Sequence, residues 1–384
     1  MGLAVFISVF LSLYGGMHFY ALLKIRRALS PGFPAEAAII CFMVLMVVSP
    51  ILVRVLEEYG FEDTGRVIAY IGYGWMGILF IFLVLSVAID IVRILLPAGL
   101  RPSPLIAFVI AACFSFIFSL YGLYEAMVVK VEHVNIVSQK LAGDRRSLRI
   151  VQISDVHLGL LFREHRLRKV VNCIKDASPD ILVSTGDLVD GQTDGLSGVL
   201  YMLMELSPPL GKYAVTGNHE FYAGIRKSIN FTRDAGFKVL RDEALTLPGL
   251  INIAGVDDPA GGRKNLEEHE KEILSSLPGE TFTLLLKHRP HVGPGSDRLF
   301  DLQLSGHTHK GQIFPFGLLV KLVHGRISGL HRLDSGSLLY ISRGSGTWGP
   351  PFRILSPPEV TVINITADDN AGMGQPAHFG KIIP

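Results

Sequence analysis

Charge is distributed along this chain in two unequal regimes, and no single solvent suits both. Up to about residue 125, Asp, Glu, Lys and Arg are scarce and confined to short clusters, whereas beyond Lys130 they recur as in an ordinary globular protein. Over all 384 residues they make up 18%, against about 25% in soluble domains, and the deficit lies in the first third. A chain patterned this way divides between lipid and water.

Crossing a bilayer takes about 20 apolar residues in a helix. Residues 2–23, 37–53, 67–89 and 102–124 supply four such runs, the second being the shortest. Gly15, Gly16, Ser49, Pro50, Gly72 and Gly74 inside them are tolerated where neighbouring helices cover the backbone, and small side chains let helices approach closely. A signal peptide carries basic residues ahead of its apolar core. Here Lys24, Arg26 and Arg27 follow the first run, so it reads as a span. The expectation is an all-α, four-helix transmembrane domain over residues 1–125, in a multi-pass cell-membrane protein. The first loop carries Lys24, Arg26 and Arg27 and the third Arg93 and Arg101, while the second offsets Arg54 and Arg66 with Glu57, Glu58, Glu62 and Asp63. Positive loops stay cytoplasmic, which puts both termini, and the domain that follows, on the extracytoplasmic side. His18, inside the first run, is open to two readings: a functional intramembrane residue, or a histidine near the end of a span that is simply hydrogen-bonded to a neighbour.

The second part alternates. Residues 128–137, 148–154, 181–185, 213–216, 282–286 and 302–304 are short apolar runs, most of them ending abruptly in polar residues. A polar turn at Ala142, Gly143 and Asp144 follows the first. Between several of them the spacing predicts helices, with Leu167, Val170, Val171 and Ile174 on one face and Leu200, Leu203 and Met204 on another. This is an α/β layered domain. Ligands in such folds bind beyond the carboxyl ends of the strands. Five strand ends here carry Asp, His or Asn.

Taken singly, these motifs say little. Asp155-x-His157 puts two side chains on one side of an extended backbone. Gly186-Asp187-x-x-Asp190 is a tight turn with two carboxylates, or the N-cap of a helix. Gly217-Asn218-His219-Glu220 begins with a glycine that lets the backbone pass close to a ligand. Gly306-His307-Thr308-His309 offers two imidazoles, and His288 stands alone.

In this order and at these strand ends, the set resembles the calcineurin-like metallophosphoesterases, whose pattern is D-x-H, G-D-x-x-D, G-N-H-D/E, H and G-H-x-H. The resemblance runs over roughly residues 130–367, and Gly255-Val256-Asp257-Asp258, Ser342-Arg343-Gly344, Phe352-Arg353 and Pro358-Glu359 are similar to its bacterial membrane-tethered branch. It implies a layered β-sandwich flanked by helices over residues 126–367, leaving 368–384 as a mobile tail. It implies two divalent ions, with Asp155, His157, Asp187 and His309 holding one and Asp187, Asn218, His288 and His307 the other. A hydroxide bridging the ions would attack the phosphorus. His219 would protonate the leaving oxygen or orient the phosphate, with Asp190 fixing its tautomer. The mixed nitrogen and oxygen set suits Mn, Fe or Zn and does not choose among them.

One departure stands out: Lys310 precedes Gly311-Gln312 where relatives carry two glycines, either to contact an anionic substrate or as a solvated loop charge. Arg289 and Arg343 are further candidates for holding phosphate. Asp257 and Asp258 read as a structural turn, and Cys173 as a packed thiol. The net charge of +2 gives no basis for a nucleic-acid partner. Three functions compete: hydrolysis of a phosphate ester or pyrophosphate on a lipid-linked compound beside the bilayer, hydrolysis of a soluble substrate by an anchored enzyme, and a non-catalytic membrane scaffold or sensor that retains the fold.

Overall fold

A computed structural model describes residues 3–141, 146–191 and 195–368. The turn expected at Ala142–Asp144 and nearly all of the expected tail lie outside these residues. The chain forms two compact units: Met1–Glu125 with Gly349–Ile354, and Ala126–Trp348 with Leu355–Pro384.

The first unit is helical: α1 (Leu3–Leu29), α2 (Phe33–Glu58), α3 (Glu62–Leu95) and α4 (Pro104–Glu125). Three of these, α2, α3 and α4, are long and apolar enough to cross a membrane among the described residues, where the sequence suggested four. The first of the four expected runs lies in α1 from Leu3 onward. All four helices contribute to one core, which includes Tyr14 and Leu22 of α1, Met43 of α2, Leu79 and Phe82 of α3, and Ala111 of α4. His18 is spoken for. Trp75 Nε1 donates to its Nε2 at 2.9 Å, so its Nδ1 carries the proton donated to the Tyr14 carbonyl at 2.8 Å, and the helix-packing reading holds. Lys24 and Asp90 form an ion pair between α1 and α3. The distant segment Gly349–Ile354 packs here too: a Cβ on Gly77 would lie 2.2 Å from the Phe352 ring.

In the second unit the elements follow one another as β1 (Lys130–Ser138), β2 (Ser147–Ile153), α5 (Glu164–Ala177), β3 (Ile181–Ser184), α6 (Ser197–Met204), β4 (Lys212–Ala214), α7 (Asn218–Tyr222), α8 (Ile225–Asp234), β5 (Lys238–Val239), β6 (Glu243–Leu247), β7 (Ile251–Gly255), α9 (Leu266–Ser275), β8 (Phe282–Leu286), β9 (Leu302–Ser305), α10 (Phe316–His324), β10 (Gly329–Arg332), β11 (Leu338–Ile341) and β12 (Glu359–Ala367). They build two six-stranded sheets, ordered β1-β12-β2-β3-β4-β5 and β10-β11-β9-β8-β7-β6. Strands β2 to β5 are parallel, as are β7, β8, β9 and β11.

The sheets pack face to face. Ile150, Ile181, Val183, Ile251, Ile253, Leu284, Leu302 and Ile363 all sit in the layer between them. Alternate residues of the first sheet, Val151, Ile153 and Leu182, point the other way, against Leu167, Val170, Val171 and Ile174 of α5. Those four are the apolar stripe that the helical spacing predicts, and all are buried; burying each stabilises the fold by about 1.5–3 kcal/mol. The second sheet is covered outside by residues around α9, among them Leu274. Helix, sheet, sheet, helix is the sandwich the sequence called for, and in both sheets the parallel strands end on loops that carry the polar motifs.

Candidate metal centre

Each motif occupies the loop after a strand: Asp155 and His157 follow β2, Asp187 follows β3, Asn218 opens α7 after β4, His288 follows β8, and His307 and His309 follow β9. The first two loops zip together. Asp155 N–H donates to Gly186 O, His157 N–H to Asp187 O, and Leu158 N–H to Leu188 O, at 2.9–3.0 Å. The backbone there is not extended, contrary to the expectation for Asp155-x-His157. Both residues take the left-handed region, at φ +50° and +54°, and Asp187, His307 and His309 do so at +51°, +72° and +47°. A non-glycine residue held there stores strain that its surroundings must offset, and such residues cluster at functional sites.

The turned side chains converge. His157 Nε2 and His309 Nε2 lie 3.1 Å apart, and His309 Nε2 is 3.4 Å from Asp155 Oδ1. His288 Nε2 lies 3.1 Å from His307 Nδ1 and 3.2 Å from Asp187 Oδ2, an oxygen that is also 3.9 Å from His157 Nε2. Three groups therefore have the spacing to hold a metal ion: Asp155 with His157 and His309, His157 with Asp187 and His219, and Asp187 with His288 and His307. The two histidines of Gly306-His307-Thr308-His309 face different groups. Asn218, the remaining expected ligand, is buried, and its Oδ1 has no hydrogen-bond donor among the described residues.

A ring of contacts fixes these groups. Asp155 accepts from Ser154 Oγ at 2.5 Å and from the His307 amide at 3.0 Å. His288 Nδ1 meets the Thr185 carbonyl at 2.8 Å, which leaves Nε2 facing the site. His219 donates its amide to Asp187 Oδ1 at 2.8 Å, and its Nδ1 is 2.5 Å from Asp190 Oδ1, as a tautomer-fixing carboxylate requires. Glycine is required at two points for space alone: a Cβ on Gly217 would lie 2.2 Å from Asp187 Oδ1, and one on Gly306 2.2 Å from Asp155 Oδ2.

The electrostatics are those of a site built for cations. Burial pushes Asp155 above the usual carboxylate range. It would raise Asp187 too, but the neighbouring His288 and His219 hold that carboxylate well below it. Asp190 is pulled down against its burial by His219. Burial pushes His219 and His288 down, yet Asp190 and Asp187 outweigh it for the first and Asp187 for the second, holding them up at about 9 and about 10. His307 falls to about 2, through burial and the positive charges of His288 and Arg289. To take His288 as a ligand, a divalent ion has to displace its proton.

The sequence alone assigns no role to four residues of the site. Glu220 is a buried carboxylate that accepts the amides of Asp187, Leu188, Val189 and Gly217 at 2.7–3.2 Å. Tyr222 and Trp348 stand beside the His219 ring, at 5.4 and 5.6 Å between centroids, and Gln312 grips the Trp348 backbone through both its amide nitrogen and its amide oxygen at 2.9 Å. Glu220 stands in the sequence pattern as the last residue of G-N-H-D/E, but the pattern does not say that it binds backbone amides. Of the candidate phosphate holders, Arg343 is committed to ion pairs with Glu132 and Glu359. Arg289 forms a two-pronged bond to buried Asp258 at 2.8 and 3.0 Å, which aims its charge toward His307. Asp257 pairs with Arg241, so both acids of that turn are structural. Lys310 sits half-buried in the turn His309–Gly311, and Cys173 packs partly buried against the core around α5.

Known proteins share this arrangement in sequence. The family described as calcineurin-like phosphoesterase matches residues 148–311, a span that contains all the expected ligands. A protein named uncharacterized metallophosphoesterase from Aquifex aeolicus is 41% identical over 261 residues, covering 66% of this chain and 100% of that one. One of the same description from Campylobacter jejuni is 35% identical over 65% of this chain and 68% of its own length. The transmembrane protein with metallophosphoesterase domain of Danio rerio is 32% identical over 66% of this chain and 62% of its own. Full coverage of the Aquifex protein at that identity leaves one reading: the chain is a member of the calcineurin-like metallophosphoesterase family.

Proposed function

We propose that this chain is a membrane-anchored, multi-pass phosphoesterase that uses two divalent cations to hydrolyse a phosphate ester or pyrophosphate bond, with lipid-linked phosphates as its substrate class. The observation that carries the reading is Asp187. Its carboxylate belongs to two donor groups, with His157 and His219 in one and His288 and His307 in the other, and His157 also belongs to the group of Asp155 and His309; a carboxylate can give one oxygen to each of two ions. The donor chemistry fits. Asp155, His157, Asp187 and His309 would hold one cation, and Asp187, Asn218, His288 and His307 the other; the buried Asn218 Oδ1, which has no hydrogen-bond donor among the described residues, is an oxygen suited to a cation. Mixed nitrogen and oxygen ligands suit Mn, Fe or Zn. Bound there, two cations supply a water acidic enough to attack at neutral pH and charge to neutralise the phosphoryl oxygens.

The protein's own residues do the rest. His219, kept protonated by Asp190 and Asp187, is placed to donate to a phosphoryl or leaving oxygen. Asp190 holds its Nδ1, so Nε2 is the end that faces substrate. Arg289, aimed by Asp258, adds positive charge on the His307 side. Three helices apolar enough to span a bilayer among the described residues would tether this chemistry to a membrane.

The test uses the full-length protein loaded with Mn²⁺. It should cleave a soluble aryl phosphodiester, lose that activity to a chelator, and contain two metal ions per chain by elemental analysis. Asp187→Asn should bring turnover to background. A loaded, folded protein that cleaves no phosphate ester or pyrophosphate in a broad panel rules the reading out.

A further inference from the structure

Helix α10 has no buried residue over its nine positions. Leu318 and Leu319 are 58% and 57% exposed, Leu322 and Val323 83% and 79%, and Phe314 just ahead of the helix 52%. Exposed apolar side chains gathered on one short helix mark an interaction surface, and within its own unit no described residue buries them. It is also tied to the site. The His324 ring, at its last turn, stands edge-on to the His307 ring with centroids 5.6 Å apart, and the loop leading into it carries His309 and Gln312. Across the site the two aromatic residues beside His219 are bare as well, Tyr222 at 60% and Trp348 at 50%.

The charge around α10 says what covers it. From Leu302 to Leu333 the chain contains no Asp or Glu, but it contains Lys310, Lys321, Arg326 and Arg332. A second copy seated on this helix would bring Lys321 and Arg326 against their own counterparts. An anionic bilayer accepts apolar side chains between its headgroups and supplies the opposite charge at the same depth. Helices able to span a bilayer are part of the same chain, so a lipid surface is always at hand. We propose that α10 docks in the headgroup layer of an anionic membrane and so presents the metal centre to phosphate groups held at that surface. The docking stands on the geometry of α10; the choice of lipid phosphates as substrate rests on the phosphoesterase reading above.

The experiment uses full-length protein in proteoliposomes of phosphatidylcholine and phosphatidylglycerol. The chain has two tryptophans, Trp75 and Trp348, so Leu322→Trp in a Trp75→Phe, Trp348→Phe background places a single reporter on α10. Acyl-chain-brominated lipid should quench its emission at least threefold. Unquenched emission at a water-like wavelength means that the helix stays in solvent, and blue-shifted but unquenched emission means that protein covers it; either overturns the docking. A second arm compares wild type with the Leu322→Asp, Val323→Asp double variant. Hydrolysis of phosphodiester lipid in the vesicles should fall at least tenfold, while hydrolysis of a soluble aryl phosphodiester stays within twofold. Equal rates on both substrates, or an equal loss on both, refute delivery by α10. A wild-type protein that cleaves neither ester defeats the phosphoesterase reading instead, and the quenching arm still decides the docking.

Discussion

Glu220 shows how much of this site rests on groups that never touch a ligand. One carboxylate accepts four backbone amides from two loops, and its pKa is raised by burial and by Asp187, so it holds the Asp187 turn in register with α7. Replacing it with Ala strands those buried donors at about 1–3 kcal/mol for each that water cannot reach. Glu220→Ala is therefore expected to destabilise the catalytic unit by about 3 kcal/mol and to lose metal. A variant that melts with the wild type and keeps its metal content would show that the carboxylate is dispensable. Gly217→Ala tests precision instead. Its Cβ would sit 2.2 Å from Asp187 Oδ1, so the carboxylate must move, and a displacement near 1 Å costs on the order of 10²-fold in rate. Steady-state turnover of a soluble phosphodiester reads this directly, and turnover within threefold of wild type would mean that the loop absorbs the methyl. The candidate ligands stand out in the sequence because five strand ends in series carry Asp, His or Asn, a coincidence that core packing does not explain. The role of Glu220 does not, since its partners are amides across a loop. Nor do the left-handed turns at Asp155 and His157, because D-x-H reads equally well as extended chain.

Helices and strands were readable to different degrees, and the difference follows the period of burial. The stripe of α5 announces itself at a spacing of three and four, and β2, β3, β8 and β9 announce themselves as short apolar runs. β5 has two residues and β10 none fully buried, so neither has a pattern to see. β12, rich in Val, Ile and Thr, is recognisable as a strand, but nothing local says that it lies between β1 and β2, parallel to one and antiparallel to the other. Lys212 is an element-scale device of the same hidden kind. It is only 8% exposed, and its Nζ donates to Leu203 O at 2.8 Å and Ala235 O at 2.6 Å, carbonyls at the ends of α6 and α8. A lysine at a helix C-terminus satisfies orphan carbonyls and opposes the helix dipole, and this one serves two helices at once. Lys212→Met keeps the stem and removes the donor, so the Ala235 carbonyl loses it outright while Leu203 O keeps the Leu206 amide at 3.2 Å. The expected cost is about 1–3 kcal/mol, seen as a lower melting temperature with metal content unchanged while folded. A melting temperature equal to wild type would show that water reaches those carbonyls.

In the catalytic unit as a whole, the placement of the proposed ligands has a thermodynamic consequence. Asp155, His157, Asp187 and Asn218 hang from β2, β3 and β4 of one sheet; His288, His307 and His309 hang from β8 and β9 of the other. That division cannot be read from the sequence, because it depends on strand order, and strand order is set by long-range pairing. With ligands drawn from both sheets, any ion held at this centre clamps the sandwich across its apolar layer at one end. Ligand that binds the folded state alone stabilises it by about 2.7 kcal/mol at a concentration 100 times its dissociation constant. For a unit of this size each kcal/mol shifts the melting temperature by roughly 2–4 °C, so chelation should lower melting by roughly 5–10 °C and readdition of Mn²⁺ should restore it. The two-sheet origin adds a sharper condition. His288→Ala and Asp155→Ala remove proposed ligands from opposite sheets, and each should reduce the gap between chelated and metal-loaded melting temperatures. If the gap survives both substitutions undiminished, the stabilising ion binds elsewhere and the sheets are held by their apolar layer alone.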